Sequence, residues 1–470
     1  MAKSIDEILA PGRTPAEMIT DLRDKAVSVP AWGLPLGLES EYDPRHHPVM
    51  DRTRYPDVVD GAEFKPVTRV TCALQMLAVK RMSELLCGIP VKRVYSPQND
   101  RQKFIASFME AVYQRNRIDS VNTERSNMLF AGCEVLTLWY AVEQEMTLHI
   151  DGAPVTYPVK LRCRNFSPMN GDELYPLFDE YGDMTAMSVG YTRSVHGTAV
   201  NYFDAYTADR HIKWSTENGD WGVVEDERIT LGKIPAVYAF RPTPIWEDTS
   251  RMVYEMEWSL SRNGNYLREN SKPVLCIFAD EVIHYGDEKP VDREFRAVMQ
   301  LPKGGSAQYV TWPGATDNLQ FYVEQLRSLF FMQLQLPDWS YEKMSQQALS
   351  GESRKQMFID AQLKVKDESG RWIEFFDREL NVVKAFAKLI LGDSYAADID
   401  ALQIDTEITP FAITDESDTI DNLMKANGGE PIMSQRESIE QFGQSADVDR
   451  TLAEIQRQKA VDFVQPEPTV

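Results

Sequence analysis

The sequence predicts an α+β chain in which helices come first, antiparallel strands follow, and long helices then return. Three observations predict it. Apolar residues recur at steps of three and four between 67 and 130. From 134 to 240 the apolar period falls to two. Beyond 248 three long helical patterns appear, the first two separated by a short β-prone insert.

The chain has 470 residues, about three domains' worth. Acidic residues outnumber basic ones 72 to 50, a formal net charge of -22. Broad nucleic-acid binding rests on Lys and Arg neutralising phosphates, so this balance argues against a repressor or a nucleoid protein. It argues equally against attachment to an anionic membrane. The five cysteines include no C-x-x-C pair and read as reduced thiols. The polar start Met1–Glu7 does not resemble a signal peptide, and no apolar run is long enough to span a bilayer.

In order along the chain, residues 1–66 are rich in Pro and Asp and read as an irregular arm with one short helix. Within it, His46-His47 lies between Pro44 and Pro48 and reads as exposed loop. Val67, Val70, Leu74, Leu77, Ala78, Met82 and Leu85 predict a helix ending at Gly88, with Pro90 beyond it. Further helices are predicted over 101–115 and 119–130, the latter breaking at Gly132. A strand buried on both faces is predicted from Val135 to Tyr140. Strands around 147–150, 157–163, 186–193, 200–207, 210–215 and 235–240 follow, punctuated by glycines.

Residues 248–270 predict a helix capped by Asp248, Thr249 or Ser250, although Asn263-Gly264-Asn265 weakens it. Short strands are expected at Val274–Phe278 and 308–311. A second helix, 316–335, carries Phe321, Leu326, Phe330 and Phe331 around its circumference, too widely for one partner face. Such a helix should be buried on more than one side, and Phe330→Asp is expected to prevent assembly with neighbouring subunits. Pro337 favours an exit from that helix, and Ser350 is a candidate cap for a long helix, 352–391, with a kink allowed at Gly370. Shorter helices are expected at 415–426, 434–442 and 447–464 in an acidic ending.

No nucleotide-binding loop, nucleophile elbow or zinc-protease motif is present. The carboxylates Glu134, Asp172 and Glu173 lie near strand ends and are the candidates for acid–base work if the chain is an enzyme. No cofactor, metal or catalytic residue is expected.

Five segments carry a family resemblance. They are Leu85-Leu86-Cys87-Gly88-Ile89-Pro90-Val91, Phe130-Ala131-Gly132-Cys133-Glu134, Gly232-Lys233-Ile234-Pro235 running to Phe240 before a long helix, Leu336-Pro337 through Ser350-Gly351-Glu352, and Met433-Ser434 through Gln458. In this order the chain resembles the portal protein (head-to-tail connector) of long-tailed bacteriophages; a different virion connector or minor capsid protein is the alternative within the same class, beside the enzyme reading above.

The resemblance implies a ring, usually of twelve subunits, at one vertex of the virion capsid and made in the host cytoplasm. Double-stranded DNA would pass through its channel without sequence specificity. Its partners would be the terminase large subunit, head-completion or adaptor proteins, and capsid and scaffold proteins, with no membrane. On this resemblance 1–66 is an N-terminal arm, 67–247 a wing, 248–270 and 314–336 two stem helices, and 271–313 a clip. Residues 337–350 would be a tunnel loop, 351–404 a long wing helix and 405–470 the crown and tail. The clip's Asp287, Glu288, Lys289, Asp292 and Arg293 are expected to dock the motor electrostatically. The loop's Trp339, Tyr341, Lys343, Gln346 and Gln347 are expected to face DNA, with Lys343 supplying a weak ring of positive charge. An acidic channel suits a conduit through which DNA slides.

Overall fold

A computed structural model describes residues 4–24, 38–60, 63–150, 152–270, 274–278, 306–310, 316–338, 359–410, 416–428, 431–443, 445 and 448–462. Three helices, α4 (Leu74–Cys87), α5 (Asp100–Arg115) and α6 (Ile118–Gly132), open the main body. Strands β4 (Glu134–Val142), β7 (Lys160–Phe166) and β13 (Ala236–Phe240) form a three-stranded antiparallel sheet with β4 in the centre. The expectation for β4 holds over its first six residues, which are buried throughout.

A five-stranded meander stands beside it: β8 (Glu173–Phe178), β9 (Met184–Val195), β10 (Thr198–Tyr206), β11 (Arg210–Ser215) and β12 (Gly222–Arg228). The described part of the arm holds more regular structure than its composition suggests. Helices α1 (Ile5–Ile8) and α2 (Pro15–Leu22) begin with capping boxes at Ser4 and Thr14. They bury Ile8, Leu9, Ile19 and Leu22 on Phe203, Ala205, Ile212 and Trp214 of the meander.

The strand expected at 157–163 is two strands, β6 (Ala153–Tyr157) and β7. Pro158 lies between them and has no N–H for a ladder. β6 pairs with β5 (Met146–Ile150) in a hairpin, and β1 (Val58–Asp60) pairs with β2 (Glu63–Lys65) in another.

The long helix runs unbroken as α9 (Ile359–Leu391), so Gly370 does not stop it. Residues 352–358 lie outside the described residues. Trp372, Phe375, Phe376 and Val383 of α9 join Phe108, Phe130, Trp139 and Leu129 in the largest core. Inside that core, Arg125 of α6 donates to both oxygens of Glu379 on α9, at 2.6 and 2.9 Å. The Glu379 carboxylate also accepts from Trp139 Nε1 at 3.1 Å, and the Arg125 guanidinium lies 4.6 Å from the Phe375 ring centroid. Breaking one side of such a buried pair costs about 3–5 kcal/mol, so it defines the register of α6, β4 and α9.

After a short helix, α10 (Ala396–Ala401), strand β16 (Gln403–Glu407) pairs with β3 (Lys92–Ser96), closing the body across some 300 residues of sequence. The division drawn at 405 therefore falls inside a strand of the body. Three final helices follow, α11 (Glu416–Asn427), α12 (Gln435–Phe442) and α13 (Val448–Asp462), matching the expected segments to within two residues.

Candidate assembly site: a helix pair strapped on one side and open on the other

Helices α7 (Ser250–Asn270) and α8 (Thr316–Gln333) pack together, with Tyr322 Oη 3.3 Å from Glu255 Oε1. Between them in sequence stands a ribbon, β14 (Val274–Phe278) paired with β15 (Ser306–Val310). The ribbon matches the expected insert. Asp287, Glu288, Lys289, Asp292 and Arg293 lie outside the described residues.

Asn263-Gly264-Asn265 does not break α7. The chain before α4 explains why. Thr68 N donates to Asn265 Oδ1 at 2.6 Å, Val70 N to Ser261 Oγ at 2.9 Å and Cys72 N to Glu257 Oε1 at 2.7 Å. Every second residue of the strap thus meets every fourth residue of α7, running the opposite way. Four helical residues rise ~6 Å and two extended residues ~6.7 Å, so the two repeats stay in step over three contacts. A Cβ on Gly264 would sit 2.8 Å from Thr68 Cγ2, so the glycine is what admits the strap. Arg268 adds a bond to the Pro66 carbonyl at 2.8 Å.

These contacts also correct the helix expected from residue 67. It starts at Leu74, because the N–H groups of 68, 70 and 72 are bound to α7.

His47 is likewise not an exposed loop residue. Its side chain is fully buried, with Nδ1 2.6 Å from Glu257 Oε1 and Nε2 2.9 Å from the Glu41 carbonyl. A carbonyl only accepts, so Nε2 carries a proton and the Nδ1–Glu257 pair shares another. Pro44 and Pro48 each open a 3-10 turn that brings the ring inward, while His46 stays exposed. The polar stripe Glu257, Ser261, Asn265 at four-residue spacing was the sequence signal for this seam.

α8 has two apolar faces. Leu326, Phe330 and Leu334 lie within about 80° of arc; Phe330, 0% exposed, and Leu334 join the body's core, and Leu326 is half-buried. Phe331, to one side, is also buried. On the other side Phe321, Leu329, Met332 and Tyr322 fall within about 100° and are exposed, Phe321 and Met332 each at 64%. The four residues expected to contact neighbours therefore divide. Phe321 is open, Leu326 is partly covered, and Phe330 and Phe331 belong to the chain's own core. Phe330→Asp accordingly tests folding rather than assembly.

The helix ends before Pro337. Gln335 takes a left-handed conformation, φ 54°, and Leu336 N returns to the Phe331 carbonyl at 3.0 Å. Pro337 and Asp338 are then clamped. Arg81 Nη1 donates to Pro337 O at 2.7 Å, Arg327 Nη2 donates to Asp338 Oδ1 at 3.0 Å, and Arg81 lies 4.5 Å from the Phe331 ring centroid. The next residues, with Trp339, Tyr341, Lys343, Gln346 and Gln347, lie outside the described residues.

The carboxylates considered for catalysis hold strand ends. Glu134 accepts from Tyr238 Oη at 2.9 Å, Asp172 from Ser167 N at 3.1 Å, and Glu173 from Tyr175 Oη at 2.8 Å. Burial raises the Asp172 pKa and pushes the Cys133 and Cys163 thiols up to about 12. Among the described residues, no group of three or more His, Cys, Asp or Glu could hold a metal ion, and no helix is long and apolar enough to cross a membrane.

This chain belongs to the phage portal proteins. Within them, the family model for SPP1 Gp6-like portal proteins matches residues 38–462. No curated protein matches the chain. Among solved structures, the chain is similar to one from the neck of an empty gene transfer agent particle computed with C6 symmetry. The identity is 10%, 90% of this chain and 98% of that chain are covered, and the TM-score is 0.42. A second similar chain comes from the virion of a native gene transfer agent particle, at 11% identity, coverages of 89% and 96%, and TM-score 0.39.

Proposed function

We propose that the chain is one subunit of a ring that forms the portal of a phage-like virion, and that the open face of α8 is covered by the neighbouring subunit. The portal role follows from family membership across residues 38–462. The observation that carries the ring is the second apolar stripe on α8, on which Phe321 and Met332 remain 64% exposed in the single chain. Exposed stripes of this kind mark interaction surfaces.

In this reading α7 and α8 are the stem, the ribbon β14–β15 begins the clip, and α11 to α13 form the crown. Residues 337–350 are the tunnel loop, whose entry is held by Arg81 and Arg327. The net charge of -22 per subunit suits a conduit that lets double-stranded DNA slide rather than stick. Terminase and adaptor proteins dock on the clip, and twelve is the copy number carried over from the family. No step of this role requires a catalytic centre. Electron microscopy of the purified full chain tests the reading. Rings with an open axial channel are expected, and particles of single-chain size at micromolar concentration would overturn it.

A further inference from the structure

The two sheets carry a cationic strip at one end and an acidic tip at the other. On β7, Lys160, Arg162 and Arg164 alternate with Leu161 and Cys163, which pack into the largest core, so the three cations share the opposite face. Desolvation lowers the Lys160 pKa, and the neighbouring Arg162 and Arg115 lower it further. The strip continues over aromatic rings. Arg164 lies 4.6 Å from the Phe166 ring centroid, Phe166 is 6.1 Å from Tyr191, and Arg193 of β9 is 4.9 Å from the Tyr191 centroid. All four arginines are exposed, and none forms an ion pair among the described residues. Tyr140 and Val142, opposite Arg162 and Lys160 in the β4–β7 ladder, are exposed beside them.

The acidic tip is the turn that joins β8 to β9. Asp179, Glu180 and Asp183 are exposed there, and Tyr181 projects from it at 84% exposure. Asp179 Oδ1 accepts from the N–H groups of Tyr181 and Asp183, both at 2.9 Å, and Gly182 takes φ 88°. The turn is therefore set before any partner arrives. From Asp183 to Arg193 the chain rises about 33 Å at about 3.3 Å per residue, so one subunit cannot bring its own tip to its own strip.

We propose that the acidic tip of one subunit docks on the cationic strip of the next, a contact that rests on the ring reading above. Two different patches at opposite ends make a head-to-tail interface, and repetition of such an interface generates rings when the rotation closes. Subunits of charge -22 repel one another side by side, and a located contact of opposite charge offsets that repulsion where they meet. The strip suits both parts of the tip. Planar guanidinium groups bind carboxylates through paired hydrogen bonds and stack on aromatic rings, so the same arginines receive the acids and Tyr181.

Charge reversal of the full chain tests the contact, with ring mass followed by analytical ultracentrifugation over a dilution series. Arg162→Glu/Arg164→Glu reverses the strip, and Glu180→Lys/Asp183→Lys reverses the tip. Each variant alone should raise the concentration at which rings half-dissociate by at least about tenfold. An equimolar mixture of the two should restore rings, because each reversed patch then meets its opposite on the other variant. A variant that merely failed to fold would not be rescued by mixing. Rings of wild-type stability from both single variants would overturn the contact and leave the strip to an acidic partner other than this chain. Impaired variants with no rescue in the mixture would overturn it equally. A wild-type chain that stays single would instead overturn the ring reading and this contact with it.

Discussion

Helices α7 and α8 are packed neighbours, yet they relate to their own chain in opposite ways. α7 presents a polar stripe, and the chain covers it with its own backbone donors from Thr68, Val70 and Cys72. α8 presents an apolar stripe that no described residue covers, with Phe321 and Met332 largely exposed. Buried polar side chains must be paired within the subunit before anything else arrives, because an unmet buried acceptor costs about 1–3 kcal/mol. An apolar stripe can wait for a neighbour. In the proposed ring, one side of the pair is completed by folding and the other by a neighbouring subunit.

Substitutions can break each side separately. The largest effect is expected from Phe330→Asp, which buries a carboxylate in the core. A loss of more than about 3 kcal/mol should appear in denaturant unfolding. Glu257→Ala comes next. It strips His47 and the Cys72 N–H of their shared acceptor and should cost about 3 kcal/mol. Hydrogen exchange should then accelerate at Val70 and Cys72 while the β4 core stays protected.

The smallest effect distinguishes two helical glycines. Gly370 has nothing within 4 Å of a built Cβ, so Gly370→Ala should stabilise by about 1 kcal/mol through helix propensity alone. Gly264→Ala meets Thr68 and should lose that gain, with faster exchange at the Thr68 amide. Equal thermal shifts for the two variants would mean that the strap does not press on α7.

Much of the fold was legible because periodicity reports burial. The shift from helical to strand period near 134, the final three helices and the ribbon between α7 and α8 all follow from it. The errors share a physical cause, namely contacts between segments far apart in sequence. Val67 and Val70 fit a helical repeat, but the N–H of Val70 is bound by a residue 191 positions away. His47 between prolines looks like surface until Glu257 is placed beside it.

At the site itself, the two-sided apolar character of α8 could be read from Phe321, Leu326, Phe330 and Phe331. Which side the body would cover could not, because that depends on the fold of residues 74–142 and 359–391. The charged clip residues and Lys343 carried no such periodic signal.

The central claim is that α8 is completed by a neighbour. Its most direct test is the native mass of the double variant Phe321→Glu/Met332→Glu beside wild type, measured by analytical ultracentrifugation with thermal unfolding in parallel. Both side chains are largely exposed, so melting should shift by no more than about 0.5 kcal/mol equivalent per site. The account predicts closed rings for wild type and folded single chains for the variant. Rings of unchanged mass from the double variant would contradict it.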